Sequence, residues 1–198
     1  MSVNIRMATK GDAANILKIY VPYVLETDIS FEITAPSLSE FEGRIENILK
    51  GYPYVVCERD GVLIGYAYAQ RQRAREAYDW NAELSVYVDE KYHGRGIGKA
   101  LYNAVMDVLK LQNMKTVYGA VAIPNERSNR LHESLGFSVL GIFHKTGFKH
   151  GKWHDVMWFE KKIGEYDVNP SRVKTPEELD AVELEEVFDN AIKSIMGK

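Results

Sequence analysis

Gly94, Gly96 and Gly98 stand at alternate positions, with Arg95, Ile97 and Lys99 between and after them. Glycine admits φ above zero and lets a ligand come close to the backbone. Successive N–H groups at such a turn point into one concavity. If the turn opens a helix, the positive end of the helix dipole adds to the field. The chemistry suited to such a place is anion binding, and a pyrophosphate would fit it. Two familiar phosphate motifs do not match the spacing. A nucleotide-triphosphate loop needs a hydroxyl after its Gly-Lys, whereas Gly98-Lys99 is followed by Ala100. A dinucleotide fingerprint needs Gly-x-Gly-x-x-Gly at the first strand-to-helix turn, and here the third glycine comes one residue early, after several other elements. The plain alternative is a tight turn that binds nothing.

The elements around this turn must position it. Leu84, Val86 and Val88 alternate with Ser85 and Tyr87, which is the period of a strand. After the turn, Leu101, Ala104, Val105, Val108 and Leu109 recur at helical spacing. Upstream, Val3 to Arg6 reads as a strand, and Thr9 with Asp12 caps a helix that Pro22 should end or kink. Glu26 to Ala35 reads as a loop over the site. Ser37-Leu38-Ser39-Glu40 is a capping box for a second helix that buries Phe41, Ile45, Ile48 and Leu49. Tyr54–Glu58 and Val62–Gln70 are strands joined by the hairpin signal Arg59-Asp60-Gly61. Downstream come a strand over Thr116–Ala122, a helix opened by Asn125 and closed by Gly136, and an antiparallel pair over Phe137–Phe143 and Val156–Lys162. The expected class is α/β, with a mixed, mostly antiparallel central sheet flanked by helices.

His93-Gly94-Arg95-Gly96-Ile97-Gly98 resembles the pyrophosphate loop of the GNAT N-acetyltransferases, Arg/Gln-x-x-Gly-x-Gly/Ala, with His93 at the first position. Asn125 to Phe137 resembles a second family segment, with Ser128 for its alanine and His132 for its tyrosine. The resemblance narrows to the phosphinothricin and methionine sulfoximine acetyltransferase group. It does so through Glu26-Thr27-Asp28-Ile29-Ser30-Phe31, Tyr78-Asp79-Trp80 with the strand that follows, and Gly147-Phe148-Lys149-His150-Gly151-Lys152-Trp153-His154-Asp155. These matches span roughly residues 3–162. The resemblance implies the GNAT fold, acetyl-CoA as co-substrate and a small amine acceptor, such as the α-amino group of an amino acid analogue.

Acetyl transfer to an amine needs the amine to lose a proton, the thioester oxygen to be stabilised and the thiolate to be protonated. No Ser-His-Asp order presents itself, and Cys57 sits in the apolar run Tyr54-Val55-Val56-Cys57. Direct attack in a ternary complex is therefore expected, with proximity supplying much of the acceleration. Taken alone, Glu83 is an ordinary edge carboxylate. The resemblance places the family's general base on it. His132 is the second catalytic candidate, as base partner or as acid to the thiolate, against the common structural role of a helical histidine. The co-substrate should meet Val86, Tyr87 and Val88 of the strand, His93 through Lys99 of the turn, and Asn125 and Ser128. Asn125 is equally a helix N-cap. Arg73 and Arg75 are candidates for an acceptor carboxylate or phosphinate, because guanidinium groups bind such anions bidentately. Phe31 is a candidate for the acceptor pocket. His150, His154 and Asp155 lack further ligands at metal spacing, so no metal is expected.

Composition narrows the classes further. The 198 residues are 45% hydrophobic and 27% charged, as in a chain that buries a substantial core. A net charge of −3 argues against nucleic acid as the main partner. A single cysteine excludes an internal disulfide framework. No leader pattern or membrane-length apolar run appears, so a cytoplasmic location is expected. Residues 1–163 should form the acetyltransferase domain and 164–198 a linker and amphipathic helix. Thr175-Pro176-Glu177-Glu178 should start that helix. Its stripe of Leu184, Val187, Phe188, Ala191, Ile192, Ile195 and Met196 must pack on this domain or on a second subunit, and a homodimer is expected. The competing functions are a non-catalytic acyl-CoA sensor and an acetyltransferase for a different amine, including protein N-termini and lysines.

Overall fold

Strands β1 (Val3–Met7), β2 (Tyr54–Arg59), β3 (Val62–Arg71) and β4 (Asn81–Val88) lie side by side and antiparallel in a computed structural model that describes residues 2–197. β2 and β3 turn through Asp60 and Gly61 at φ of 51° and 80°. Two consecutive left-handed residues make the tight turn that suits twisted strands, as the hairpin signal implied. β5 (Thr116–Ile123), β7 (Lys152–Lys162) and β6 (Ser138–Lys149) complete a seven-stranded sheet in the order β1-β2-β3-β4-β5-β7-β6. The β4–β5 pair alone is parallel among the described residues. Its ladder runs from Asn81–Thr116 to Leu84–Gly119 and stops there. Ser85–Val88 and Ala120–Ile123 continue as strands without pairing to each other, so the sheet splits into a wedge.

Alternation sends the two faces of the first four strands to different cores. Val55, Cys57, Ile64, Leu84 and Val88 join the larger core with α3 (Ile97–Leu111). Tyr54, Val56, Leu63 and Tyr66 join the smaller one with α1 (Ala13–Leu25) and α2 (Leu38–Leu49). The apolar side of α3 is buried as its spacing predicts, Leu101, Val105, Val108 and Leu109 completely. Each such side chain contributes roughly 1.5–3 kcal/mol on burial. At α2 the capping box forms: Ser37 Oγ accepts from the Glu40 N–H at 3.3 Å, and the Glu40 carboxylate accepts the Ser37 N–H at 2.8 Å.

Four boundaries differ from the sequence expectation. Thr9 opens a short 3-10 turn, Lys10–Asp12, and α1 starts only after it. Pro22 does not end α1, which runs on to Leu25. A proline in the last turn removes one backbone bond, while Glu26 N–H still donates to Pro22 O at 2.9 Å. The β6–β7 hairpin is longer than expected and turns through His150 and Gly151, at φ of 46° and 76°. The polar stretch His144–Thr146 falls within β6, where the pairing register shifts between Phe143 and Gly147. In the tail, the Thr175 capping box closes only the turn Pro176–Glu178, and α5 (Ala181–Met196) begins behind Asp180, whose carboxylate accepts the Val182 N–H at 2.8 Å.

The stripe on α5 packs against this same domain, on α3 and β1. Ala191 is buried there, and Val187, Phe188, Ile192 and Ile195 lie against the larger core, while Met196 stays exposed. The linker is tied down by Gln112 Nε2 to Lys174 O at 2.6 Å, Asn113 Nδ2 to Ser171 O at 2.7 Å and Trp80 Nε1 to Ser171 O at 2.9 Å. Among the described residues no helix is long and apolar enough to cross a membrane.

Candidate active site

A cavity of about 590 Å³ opens where β4 and β5 part. Val86 and Val88 of β4, Tyr92, His93, Gly94 and Gly96 of the turn, and the first residues of α3 form one side. The opposite side comes from Asn125 and from Arg127, Ser128, Arg130, Leu131 and Ser134 of α4 (Glu126–Ser134), with Tyr23 and Ile29 completing it. Gly94 and Gly96 stand at φ of 75° and 82°, in the left-handed region where glycine is favoured. Gly96 is the N-cap of α3 and offers no side chain to cap it, so the first N–H groups of the helix face the cavity side unpartnered by a cap. Gly98 differs from the expectation of a positive φ. It lies inside the first turn of α3, where a Cβ would meet Leu131 and Val88 at an ordinary 3.8 Å. Every fully charged residue that lines the cavity is basic: Lys99, Arg127 and Arg130.

The structure thus gathers Val86, Val88, His93, Gly94, Gly96, Ile97, Gly98, Lys99, Asn125 and Ser128 around one space. Tyr87 and Arg95 fall outside it. Strand alternation turns the Tyr87 ring to the opposite face, edge-on to Tyr20 and Tyr23 at 5.1 Å. The Arg95 guanidinium lies over the Tyr92 ring at 5.3 Å. Asn125 does cap α4, accepting the Ser128 N–H at 3.1 Å.

Glu83 is on β4 just before the strands part, paired across to Gln70 of β3 and to Tyr118 of β5. Half-burial raises its carboxyl above the usual range, and a hydrogen bond from Gln70 opposes the rise. His132 is enclosed: it is 2% exposed, stacked on Phe159 at 4.5 Å and edge-on to Phe137 at 5.0 Å. Its Nδ1 lies 2.8 Å from Ser128 O, which can only accept, so Nδ1 carries the hydrogen and Nε2 faces Tyr102 Oη at 3.3 Å. Burial lowers its pKa. Gly119 leaves room for this ring, since a Cβ there would lie 2.4 Å from Nε2. Cys57 is buried and its thiol is pushed up to about 12, which removes it as a nucleophile.

The loop after α1 lies on the β6–β7 hairpin. Lys149 is buried, and its ammonium donates to Val24 O and Ser30 O, both at 2.6 Å. Phe31 rests on Gly147, where a Cβ would come within 2.2 Å of the ring. Asp28 accepts from His150 at 2.7 Å and pairs with Lys152 at 3.1 Å. His154 is buried in this contact, its Nε2 3.1 Å from Lys149 O. Arg73 and Arg75 are exposed and outside the cavity, Arg73 lying over the Tyr78 ring at 5.7 Å. Trp80 faces the tail linker rather than the site.

Sequence reasoning missed Arg127, Arg130, Tyr23 and Lys149. The α4 arginines had a signal, since they flank Ser128 at helical spacing. Tyr23 and Lys149 had none, because their partners are remote in sequence.

Known proteins bear on this geometry. Residues 5–158 match the model of the acetyltransferase (GNAT) domain. The chain is 36% identical over 159 residues to the phosphinothricin N-acetyltransferase of Streptomyces viridochromogenes, covering 80% of this chain and 87% of that one. It is 32% identical over 168 residues to the L-methionine sulfoximine/L-methionine sulfone acetyltransferase of Salmonella typhimurium, covering 83% and 96%. The structure of a GNAT superfamily phosphinothricin acetyltransferase from Sinorhizobium meliloti in complex with acetyl-CoA superposes with a TM-score of 0.83 at 35% identity, covering 90% of this chain and 98% of that one. With its wedge-split sheet, its glycine turn and these matches, the chain belongs to the GNAT acetyltransferases.

Proposed function

We propose that the protein transfers the acetyl group of acetyl-CoA to the α-amino group of a small amino-acid-like acceptor of the phosphinothricin, methionine sulfoximine or methionine sulfone type. One observation carries this: a cavity at the split between β4 and β5 has a helix N-terminus at its end and only basic charges on its walls. A pyrophosphate suits the N–H groups of the turn and of α3. The β4 edge at Val86, unpaired with β5, can hydrogen-bond an amide of a pantetheine arm, which directs the thioester toward Glu83.

The reaction is direct attack in a ternary complex. Glu83 takes the amine proton, directly or through a water, as the lone pair forms the new C–N bond; the C–S bond then breaks, and CoA leaves as the thiolate, which takes its proton from solvent. Its raised pKa matches it better to a neutral working pH than an exposed carboxylate would be. His132 is enclosed and tied to Ser128, which supports a role in holding α4 against β5 and β7 rather than in proton transfer. Phe31, on a loop fixed to the hairpin, borders the acceptor side, and Arg73 and Arg75, which stand exposed outside the cavity, are the guanidinium groups proposed for the acceptor's anionic group. The protein acts as a homodimer, for which the supporting surface is the exposed row Val139, Leu140, Ile142 and Phe143 on the edge strand β6. The α5 stripe is already covered.

A thiol-release assay with acetyl-CoA and a panel of amino acids and their sulfone, sulfoximine and phosphinate analogues tests the reading. Fast release with one of these analogues is the expected result. Release only with peptide N-termini or lysine side chains, or binding of acetyl-CoA with no release on any amine, overturns it.

A further inference from the structure

We propose that Arg127, on the first turn of α4, is the side-chain ligand for the pyrophosphate of the co-substrate and that His93 sets its aim. The proposal rests on the acetyl-CoA reading above.

Hydrogen-bond accounting starts at Val88 O, which can only accept. Tyr23 Oη donates to it at 2.6 Å, and His93 Nε2 lies 2.8 Å from it, so Nε2 carries the imidazole hydrogen. The other ring nitrogen, Nδ1, is then a lone pair directed at α4. Arg127 fills it with one guanidinium N–H. This contact crosses from the β4–α3 turn to α4, and both residues line the cavity.

Among the described residues, the remaining Arg127 donors have no hydrogen-bond partner. Among the described residues, no carboxylate stands within ion-pair distance of Arg127. The other two cations of the cavity are engaged: Arg130 pairs with Glu126 at 3.3 Å, and Lys99 donates to Ser134 O at 3.0 Å. Arg127 is therefore a guanidinium without an ion-pair partner, oriented through a histidine and placed between this cavity, which no carboxylate lines, and a neighbouring one of about 430 Å³ that Glu26, Asp89 and Glu90 line. A guanidinium of this kind presents parallel N–H groups that match two phosphate oxygens. The N–H groups of the turn and of α3 approach the same space from the other side. Bound between them, a pyrophosphate meets backbone donors on one face and the arginine fork on the other.

The test compares kcat/KM for three thioesters. Acetyl-CoA carries all phosphates, acetyl-dephospho-CoA keeps the pyrophosphate but lacks the 3′-phosphate, and S-acetyl-pantetheine has no phosphate. Losing charge-assisted hydrogen bonds should lower kcat/KM of Arg127→Gln by about 10- to 100-fold. The loss should be equal for the first two thioesters and absent for the third. Arg127→Lys, which keeps the charge without the fork, should lose less in the same pattern, and it serves if the glutamine variant does not fold. His93→Phe should give a smaller loss, again restricted to the first two. A loss confined to acetyl-CoA would assign Arg127 to the 3′-phosphate and overturn the proposal. An equal loss with all three would make the residue a structural clasp, and unchanged kinetics in a folded variant would remove it from the site. Wild-type protein inactive with every thioester would overturn the acetyl-CoA reading first and this proposal with it.

Discussion

The proposed co-substrate side and the proposed acceptor side of this site are built by different means. The first is mostly backbone: one strand, one turn and one helix start, within Val86 to Lys99, with left-handed glycines at 94 and 96. The second is side-chain work across long separations, with the loop after α1 fixed to the β6–β7 hairpin through Lys149, Asp28 and Phe31. A site made of backbone is sensitive to φ and indifferent to many side chains. A site made of docked segments has the opposite sensitivity, since it fails when one buried polar group is left without its partner.

Glu83 belongs to neither wall and should give the largest effect. Glu83→Gln should lower turnover by about 10²- to 10⁴-fold with unchanged acetyl-CoA affinity. Burial raises this carboxyl, and a base must be ionised, so wild-type activity should fall as pH drops through a pKa above the usual carboxylate range. The variant should lack that limb. A pH–rate profile with calorimetric affinities checks both points. A variant with wild-type turnover at neutral pH would move the base elsewhere.

Lys149→Met breaks the acceptor wall alone. It leaves two buried carbonyls unsatisfied, which should destabilise the fold by about 3 kcal/mol. It should also raise the acceptor KM, while the acetyl-CoA dissociation constant stays put. Denaturant melts and the two constants measured on one preparation decide this. A rise in both constants would mean that the two walls are one mechanical unit.

The start of α1, which carries the acceptor loop, supplies a pH-dependent handle. Arg6, through two hydrogen bonds of 2.8 Å, holds the Asp12 carboxyl down at about 2, and Thr9 assists. A folded pKa below the unfolded value gives stability that is complete above about 4 and lost as pH falls toward 2. It is worth at most about 2 kcal/mol. Melts at pH 5 and pH 2.5 should show that acid loss, and Asp12→Asn should show less of it.

The glycine turn gives the smallest energy and the sharpest contrast. A side chain at a left-handed position costs roughly 1–2 kcal/mol, so Gly96→Val should weaken acetyl-CoA binding about tenfold. Gly98→Ala, at a helical position with ordinary contacts, should change it little. Equal losses at the two positions, read by calorimetry, would show that close approach rather than φ matters at this turn.

Local physics made one side of the site legible from residue order. Alternation in β4, the glycines, the periodicity of α3 and the Asn125 cap each act within a few residues, and neighbours in sequence suffice to specify them. The same holds for the Asp60-Gly61 turn and the capping box at Ser37. The boundaries that went astray were those where local preference met a tertiary contact. Pro22 is tolerated because it falls in the last turn of α1. The Thr175 box closes only a short turn, and the long helix waits for Asp180, from which its stripe can reach α3 and β1.

By itself, then, the sequence determined the α/β class, the glycine turn and the family, because these are written in spacing and in φ. Tertiary structure decided where β4 and β5 part, which loop lies on Lys149, that His132 is enclosed by aromatic rings and that Arg127 meets His93. Each of those depends on groups tens of residues apart. Burial and hydrogen-bond partners, not residue type, set whether such a group binds, holds or transfers a proton.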